Sequence, residues 1–174
     1  MTVSKGLGDI GARVDPLSGE AGFAKLNLDV GAAQQIGKRM FVRARGSGQY
    51  SSDALPATER FAVGGSDFGR AFDSGVLSAD RGVAGSIEFA VTPFKSEIFK
   101  ASEFYGFADA AKLRLTARPG FVPADFSLAS AGGGVRMRYK ENAEIDLEAA
   151  KSLDRPFPGV KDDWRLTIGY RLAL

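Results

Sequence analysis

The chain contains no cysteine and no histidine. Disulfide staples, Cys/His zinc sites and catalytic triads built on either residue are therefore excluded. An excess of one charge is missing too: 23 Lys+Arg against 21 Asp+Glu leave a formal charge of +2, which gives no electrostatic case for a nucleic-acid partner. No stretch approaches the roughly 18 apolar residues of a membrane-crossing helix. The first residues, "MTVSKGLGDIGARVD", hold no apolar core of signal-peptide length. These absences exclude a helical membrane protein. They leave a membrane β-barrel open, because a barrel strand is apolar only at every second residue. Enzymatic motifs are also scarce. "GGSDFG" is not followed by Gly-Lys-Ser/Thr, so it is no phosphate loop. Ser130, just before Gly132–Gly134, has no histidine to activate it and reads as strand packing. Nothing local marks a glycosidase pair among Glu88, Glu103, Asp109 and Glu148. We therefore expect no enzyme, no cofactor and no metal.

What the chain does have is glycine and phenylalanine: 22 and 13 in 174 residues. That pairing suits the turns, bulges and aromatic packing of an all-β frame. The dominant period is two. Ala24, Leu26, Leu28 and Val30 alternate with Lys25, Asn27 and Asp29; Met40, Val42 and Ala44 with Phe41, Arg43 and Arg45. Ile87, Phe89 and Val91 oppose Ser86, Glu88 and Ala90; Leu113, Leu115 and Ala117 oppose Lys112, Arg114, Thr116 and Arg118. Val135, Met137 and Tyr139 oppose Arg136, Arg138 and Lys140; Ile145, Leu147 and Ala149 oppose Glu144, Asp146 and Glu148. This alternation is the strand signature. One segment, Ala143 to Leu153, is rich in helix formers, but its neighbours favour a strand. At the end, Trp164, Leu166, Ile168, Tyr170, Leu172 and Leu174 share one face, in a run long enough for the roughly 9–11 residues of a transmembrane strand.

Eight antiparallel strands are expected: Thr2–Asp15, Phe23–Gln35, Lys38–Tyr50, Ala84–Phe94, Ala101–Ala117, Asp125–Lys140, Asn142–Leu153 and Asp162–Leu174. Their connectors alternate in length. "PLSGEAG", residues 51–83, "RPGFVPA" and "DRPFPGVK" are long; "QIGK", "KSEIFK" and "KE" are short. Outer-membrane barrels alternate in this way, with long outer loops and short periplasmic turns. The parity places the C-terminus in the periplasm. A soluble barrel or sandwich would show the same period with its faces reversed, apolar side inward. The connector pattern and the apolar last strand favour the membrane arrangement, in which apolar side chains meet lipid and the arginines and acids line a wet lumen.

Between the third and fourth expected strands lies "RFAVGGSDFGRAFDSG", with four glycines, two aspartates, three phenylalanines and two arginines. The wider stretch "LPATERFAVGGSDFGRAFDSGVLSADRGVAGSIEF" resembles the region around the inward loop of the two-partner-secretion transporters, the hemolysin-activator and filamentous-haemagglutinin transporter family. The family pattern matches Leu55-Pro56, Glu59, Phe61, Gly64-Gly65, Arg70-Ala71-Phe72, and Ala79-Asp80-Arg81-Gly82 leading to Glu88. "SKGLGDIGA", "GSGQYSSDALP", "FYGFADAAKL" and "SLASAGGGVRMRY" resemble further family segments in order. Ala71 and Ala111 stand where the family has glycine, and Leu174 where it has an aromatic; Ala71 would strain a backbone position that needs positive φ.

The resemblance implies a bacterial outer-membrane β-barrel, with residues 1–174 its C-terminal region and the eight strands matching the last eight of sixteen. It implies a translocator for a hemolysin- or adhesin-type exoprotein, with outer-membrane lipid around it. Residues 51–83 would fold back into the lumen, carrying the loop motif Gly64, Gly65, Gly69, Ala71 and Phe72, with Arg70 paired to Asp109. Tyr170, Leu172 and Leu174 would form the signal read by the barrel assembly machinery. Two other readings of the residues stay open: a free-standing eight-stranded outer-membrane barrel with a structural or adhesive role, whose interior would be filled by side chains, and a soluble β-barrel holding an apolar ligand.

Overall fold

The structure is a computed structural model that describes residues 1–7, 19–93, 99–139, 143–160 and 163–172. Its frame is one antiparallel sheet. The strands are β1 (Thr2–Lys5), β2 (Ala24–Ile36), β3 (Met40–Tyr50), β6 (Arg81–Val91), β7 (Phe99–Leu115), β8 (Ala124–Tyr139), β9 (Ala143–Asp154) and β10 (Trp164–Leu172). Two short strands, β4 (Phe61–Val63) and β5 (Leu77–Ala79), form a separate hairpin. The eight-stranded sheet runs β1-β2-β3-β6-β7-β8-β9-β10, so each strand pairs with its neighbours in sequence. The sheet is not closed: β1 and β10 are its two edges. The all-β antiparallel class and the eight strands are those expected. The Ala143 segment is a strand despite its helix formers, because it pairs on both sides, with β8 and with β10. Of the first expected strand, everything beyond Leu7 lies outside the described residues.

The pleat sorts the side chains as the alternation demands. On β10, Leu166, Ile168 and Tyr170 are 78, 77 and 78% exposed, so no protein covers this row among the described residues. Leu26, Leu28 and Val30 on β2, Ile87 and Phe89 on β6, and Ile145 and Leu147 on β9 are exposed on the same outer face. Glu88, Asp109 and Ser130 are buried on the inner one.

One strand end departs from the expectation. The alternation groups Leu113 with the apolar, lipid-facing side chains, yet it is buried on the inner face while Lys112 and Arg114 point outward. The register explains this. β7 pairs without interruption from Ala101 to Leu115, so Leu113 must share the face of Tyr105, Phe107 and Asp109. The inner face at this end is dry, and apolar side chains suit it. Residues 51–80 cover it: Val63, Phe72, Leu77 and Ala79 pack with Ala84, Ala111, Leu113 and Leu128 in one buried cluster, with Phe68 against it. The β4–β5 hairpin inside this connector is absent from the expected strands. It has three residues per strand, too few for a periodicity to show.

Candidate functional site

The connector 51–80 holds on to most of the wall. Asp67 meets Arg45 of β3, Arg70 meets Glu88 of β6 and Glu148 of β9, and Asp73 meets Arg165 of β10. Neighbouring strands are about 4.8 Å apart, so one short segment can reach from β3 to β10 only if the sheet curls around it. The inner face is therefore a trough, and the connector lies in it.

Asp109 is the centre of the attachment. Its Oδ1 accepts from the Gly69 N–H at 2.8 Å and from the Ser130 hydroxyl at 2.7 Å, and its Oδ2 accepts from the Arg70 N–H at 3.4 Å. Gly69 can present that amide because its φ is +84°, a conformation costly for a residue with a Cβ. Gly64 and Gly65 also have positive φ, and the Gly64 N–H donates to the Phe68 carbonyl, closing the turn. Ala71 packs its methyl group against both buried clusters, and its N–H lies 3.4 Å from Ser130 Oγ.

The expected pairing of Arg70 with Asp109 does not run through the Arg70 side chain. The two residues do meet, but through the Arg70 backbone. The Arg70 guanidinium turns away and donates from Nη1 to Glu88 and Glu148, each at 3.1 Å, while stacking 4.2 Å above the Phe107 ring. The physical reason is competition for Asp109. Two amides and a hydroxyl already occupy its oxygens, whereas Glu88 on β6 and Glu148 on β9 each turn an oxygen toward the guanidinium.

Below Arg70 the inner face is a charge network. Glu88 accepts from Arg43 at 2.8 Å and from both Nη atoms of Arg136 at 2.8 and 3.0 Å. Glu103 bridges the same two arginines. The Tyr105 hydroxyl lies 2.8 Å from both Asp146 and Glu148, donating to one at a time. Arg136 stacks on Tyr105 at 3.8 Å. Both rings lie flat on the wall because Gly134 sits opposite Tyr105 and Gly132 opposite Phe107; a Cβ at either glycine would collide with the ring. The aromatic–glycine pairs thus leave room for the arginines above. Beside the network, a polar cavity of about 420 Å³ reaches Thr167 and Arg171 of β10.

Comparison with known protein families matches residues 1–137 to the haemolysin secretion/activation proteins ShlB/FhaC/HecB. The chain belongs to this family. Neither the curated proteins nor the solved structures gave a match. The family is one of outer-membrane transporters of two-partner secretion, and a secreted exoprotein is its general partner. β9 and β10 lie beyond the matched residues, yet they extend the same sheet, β9 pairing with β8 through one register shift at Ala129/Ser130.

Within this transporter frame a second attachment stands out, at a residue to which the motif match assigns no role. Asp80 is fully buried. It accepts from the Leu55 N–H at 2.8 Å, the Thr116 N–H at 2.6 Å and Arg118 Nη2 at 2.7 and 2.8 Å. Arg60 Nε stands 3.9 Å away; its burial, and then the nearby Arg118, lower the Arg60 pKa, while Asp80 opposes the shift. Asp80 therefore ties both feet of the connector to the segment that joins β7 to β8. The Leu-Pro and Asp-x-Gly matches were the available signal, but nothing in the sequence pointed to Arg118 as the partner. Tyr170 and Leu172 lie exposed on the outer face; Leu174 lies outside the described residues.

Proposed function

We propose that residues 1–174 form the C-terminal, eight-stranded part of an outer-membrane barrel that passes a hemolysin- or adhesin-type exoprotein outward, and that the connector 51–80 is its inward-folding loop. The observation that carries this reading is the division of the wall into two faces. The outer face exposes rows of large apolar side chains with no protein against them, as lipid contact requires. The inner face is charged and encloses a polar cavity. A lumen of alternating arginines and acids offers an unfolded chain no apolar surface on which to stick. Arg70 and Asp109 hold the loop in that lumen, the first by its guanidinium and the second through backbone amides. The outward apolar rows also argue against a soluble ligand-binding barrel, whose apolar side would face in.

Two outcomes follow. Thr167 pairs with Glu148 and borders the polar cavity, whereas Ile168 is outward. A charge at the bilayer midplane on a barrel's lipid face costs about 2–4 kcal/mol. Ile168→Arg should therefore impair folding into lipid vesicles, and secretion of a co-expressed exoprotein, while Thr167→Arg should leave both near normal. Equal tolerance of the two would refute the face assignment. In addition, Tyr170, Leu172 and Leu174 are the proposed recognition signal for the barrel assembly machinery. Deleting Tyr170–Leu174 should block insertion in cells. Heat-modifiable mobility of the deleted protein, recovered from outer membranes, would show that the signal lies elsewhere.

A further inference from the structure

We propose that the outer face at the long-connector end binds a phosphorylated lipid of the outer leaflet, with its phosphate held by Arg81, Lys112 and Arg114 and its acyl chains in the groove beside them. The inference rests on the outer-membrane reading above and adds a ligand to its lipid-facing wall.

The groove has a volume of about 630 Å³. Leu26, Leu28, Tyr50 and Val83 give it apolar walls, and Gly48 leaves its floor without a side chain. Its basic end is odd for an unoccupied surface. Arg81 lies directly opposite Arg114 across the β6–β7 ladder, and Lys112 pairs with Val83, the next outward position. Like charges facing each other on an antiparallel pair destabilise it. Only one acid lies among the described lining residues, Asp125. It is 3.5 Å from Arg114 and largely exposed. Arg81 rests over the Tyr50 ring at 6.0 Å, and no ion pair of Arg81 or Lys112 is formed among the described residues. Three cations against one acid give this end a net positive charge that an anion would complement.

The position selects the anion. On β6 the outward residues run Val91, Phe89, Ile87, Gly85 and Val83, then Arg81. The apolar row thus ends at the cations, at the height of the headgroups, on the side of the long outer loops. A free phosphate would match the charge but leave the groove empty. An acylated phosphate ester fills both, and basic side chains at a membrane surface attract such headgroups strongly.

The test uses the protein folded in detergent, with insertion competence first checked in phosphatidylcholine vesicles by heat-modifiable mobility. Retention of diphosphoryl lipid A is then compared with that of the same lipid stripped of both phosphates, by native mass spectrometry. The phosphorylated form should be retained preferentially. The Lys112→Gln/Arg114→Gln double variant should lose that preference by on the order of tenfold. Gly48→Leu, which fills the floor and alters no charge, should weaken retention of both forms. Inorganic phosphate should not displace the lipid. Equal retention of the two forms, an unaffected double variant, or displacement by inorganic phosphate would overturn the inference. Failure to insert even in plain phosphatidylcholine would instead bring down the outer-membrane reading, and this inference with it.

Discussion

Asp109→Ala is expected to release the connector 51–80 from the wall while the sheet itself stays paired. The carboxylate serves three donors: the Gly69 and Arg70 amides and the Ser130 hydroxyl. All lie in a buried region, where hydrogen bonds to a charged acceptor contribute about 1.5–3 kcal/mol each and do not add fully. The expected loss in local stability is about 3 kcal/mol. It should appear as roughly a hundredfold faster amide exchange at Gly69 and Arg70, with β7 and β8 protected as before. Asp109→Asn should cost less, because one oxygen can still take Gly69 and Ser130.

The contrast with Arg70→Ala tests the geometry. Glu88 would keep Arg43 and Arg136, and Glu148 would keep the Tyr105 hydroxyl. Neither acid is left alone, so the loss should be smaller than for Asp109→Ala. A side-chain fork between the two residues predicts equal losses instead. Equal effects from the two single substitutions would therefore speak against the backbone attachment. In a secretion assay both variants should export less exoprotein, with Asp109→Ala the weaker exporter.

Asp80→Ala should have the largest effect on stability. It removes an ion-pair partner of a buried arginine, since the Arg118 side chain is only 3% exposed. Breaking one side of a buried ion pair costs about 3–5 kcal/mol, because the remaining charge cannot reach water. The Leu55 and Thr116 amides lose their acceptor as well. Urea unfolding in vesicles should shift accordingly, and proteolysis near residues 55–60 should appear first. Arg118→Ala should cost less, because two amides would still hold the Asp80 carboxylate. An unchanged urea midpoint for Asp80→Ala would mean that water already reaches this site.

The amino-acid order alone determined the strands of the large sheet, their sequence and most of their faces. Period two is a local property: Leu166, Ile168 and Tyr170 point the same way because successive side chains alternate. The connector lengths and the glycine-rich stretch from Arg60 to Gly75 were legible for the same reason, since turns and positive-φ positions leave their mark within a few residues. Pairing partners left no such mark. Arg70 finds Glu148 78 residues away, and Asp80 finds Arg118 38 residues away, because strand pairing brings distant segments together. Several acids competed for Arg70, and only their positions on the curled wall decide between them. Leu113 shows the limit most clearly. Its alternation is plain in the chain, but which side of the wall is dry at that height depends on where the connector lies. The tertiary structure decided that point, by packing Val63, Phe72 and Leu77 against the inner face and thereby reversing, at the outer end alone, which side chains could be apolar.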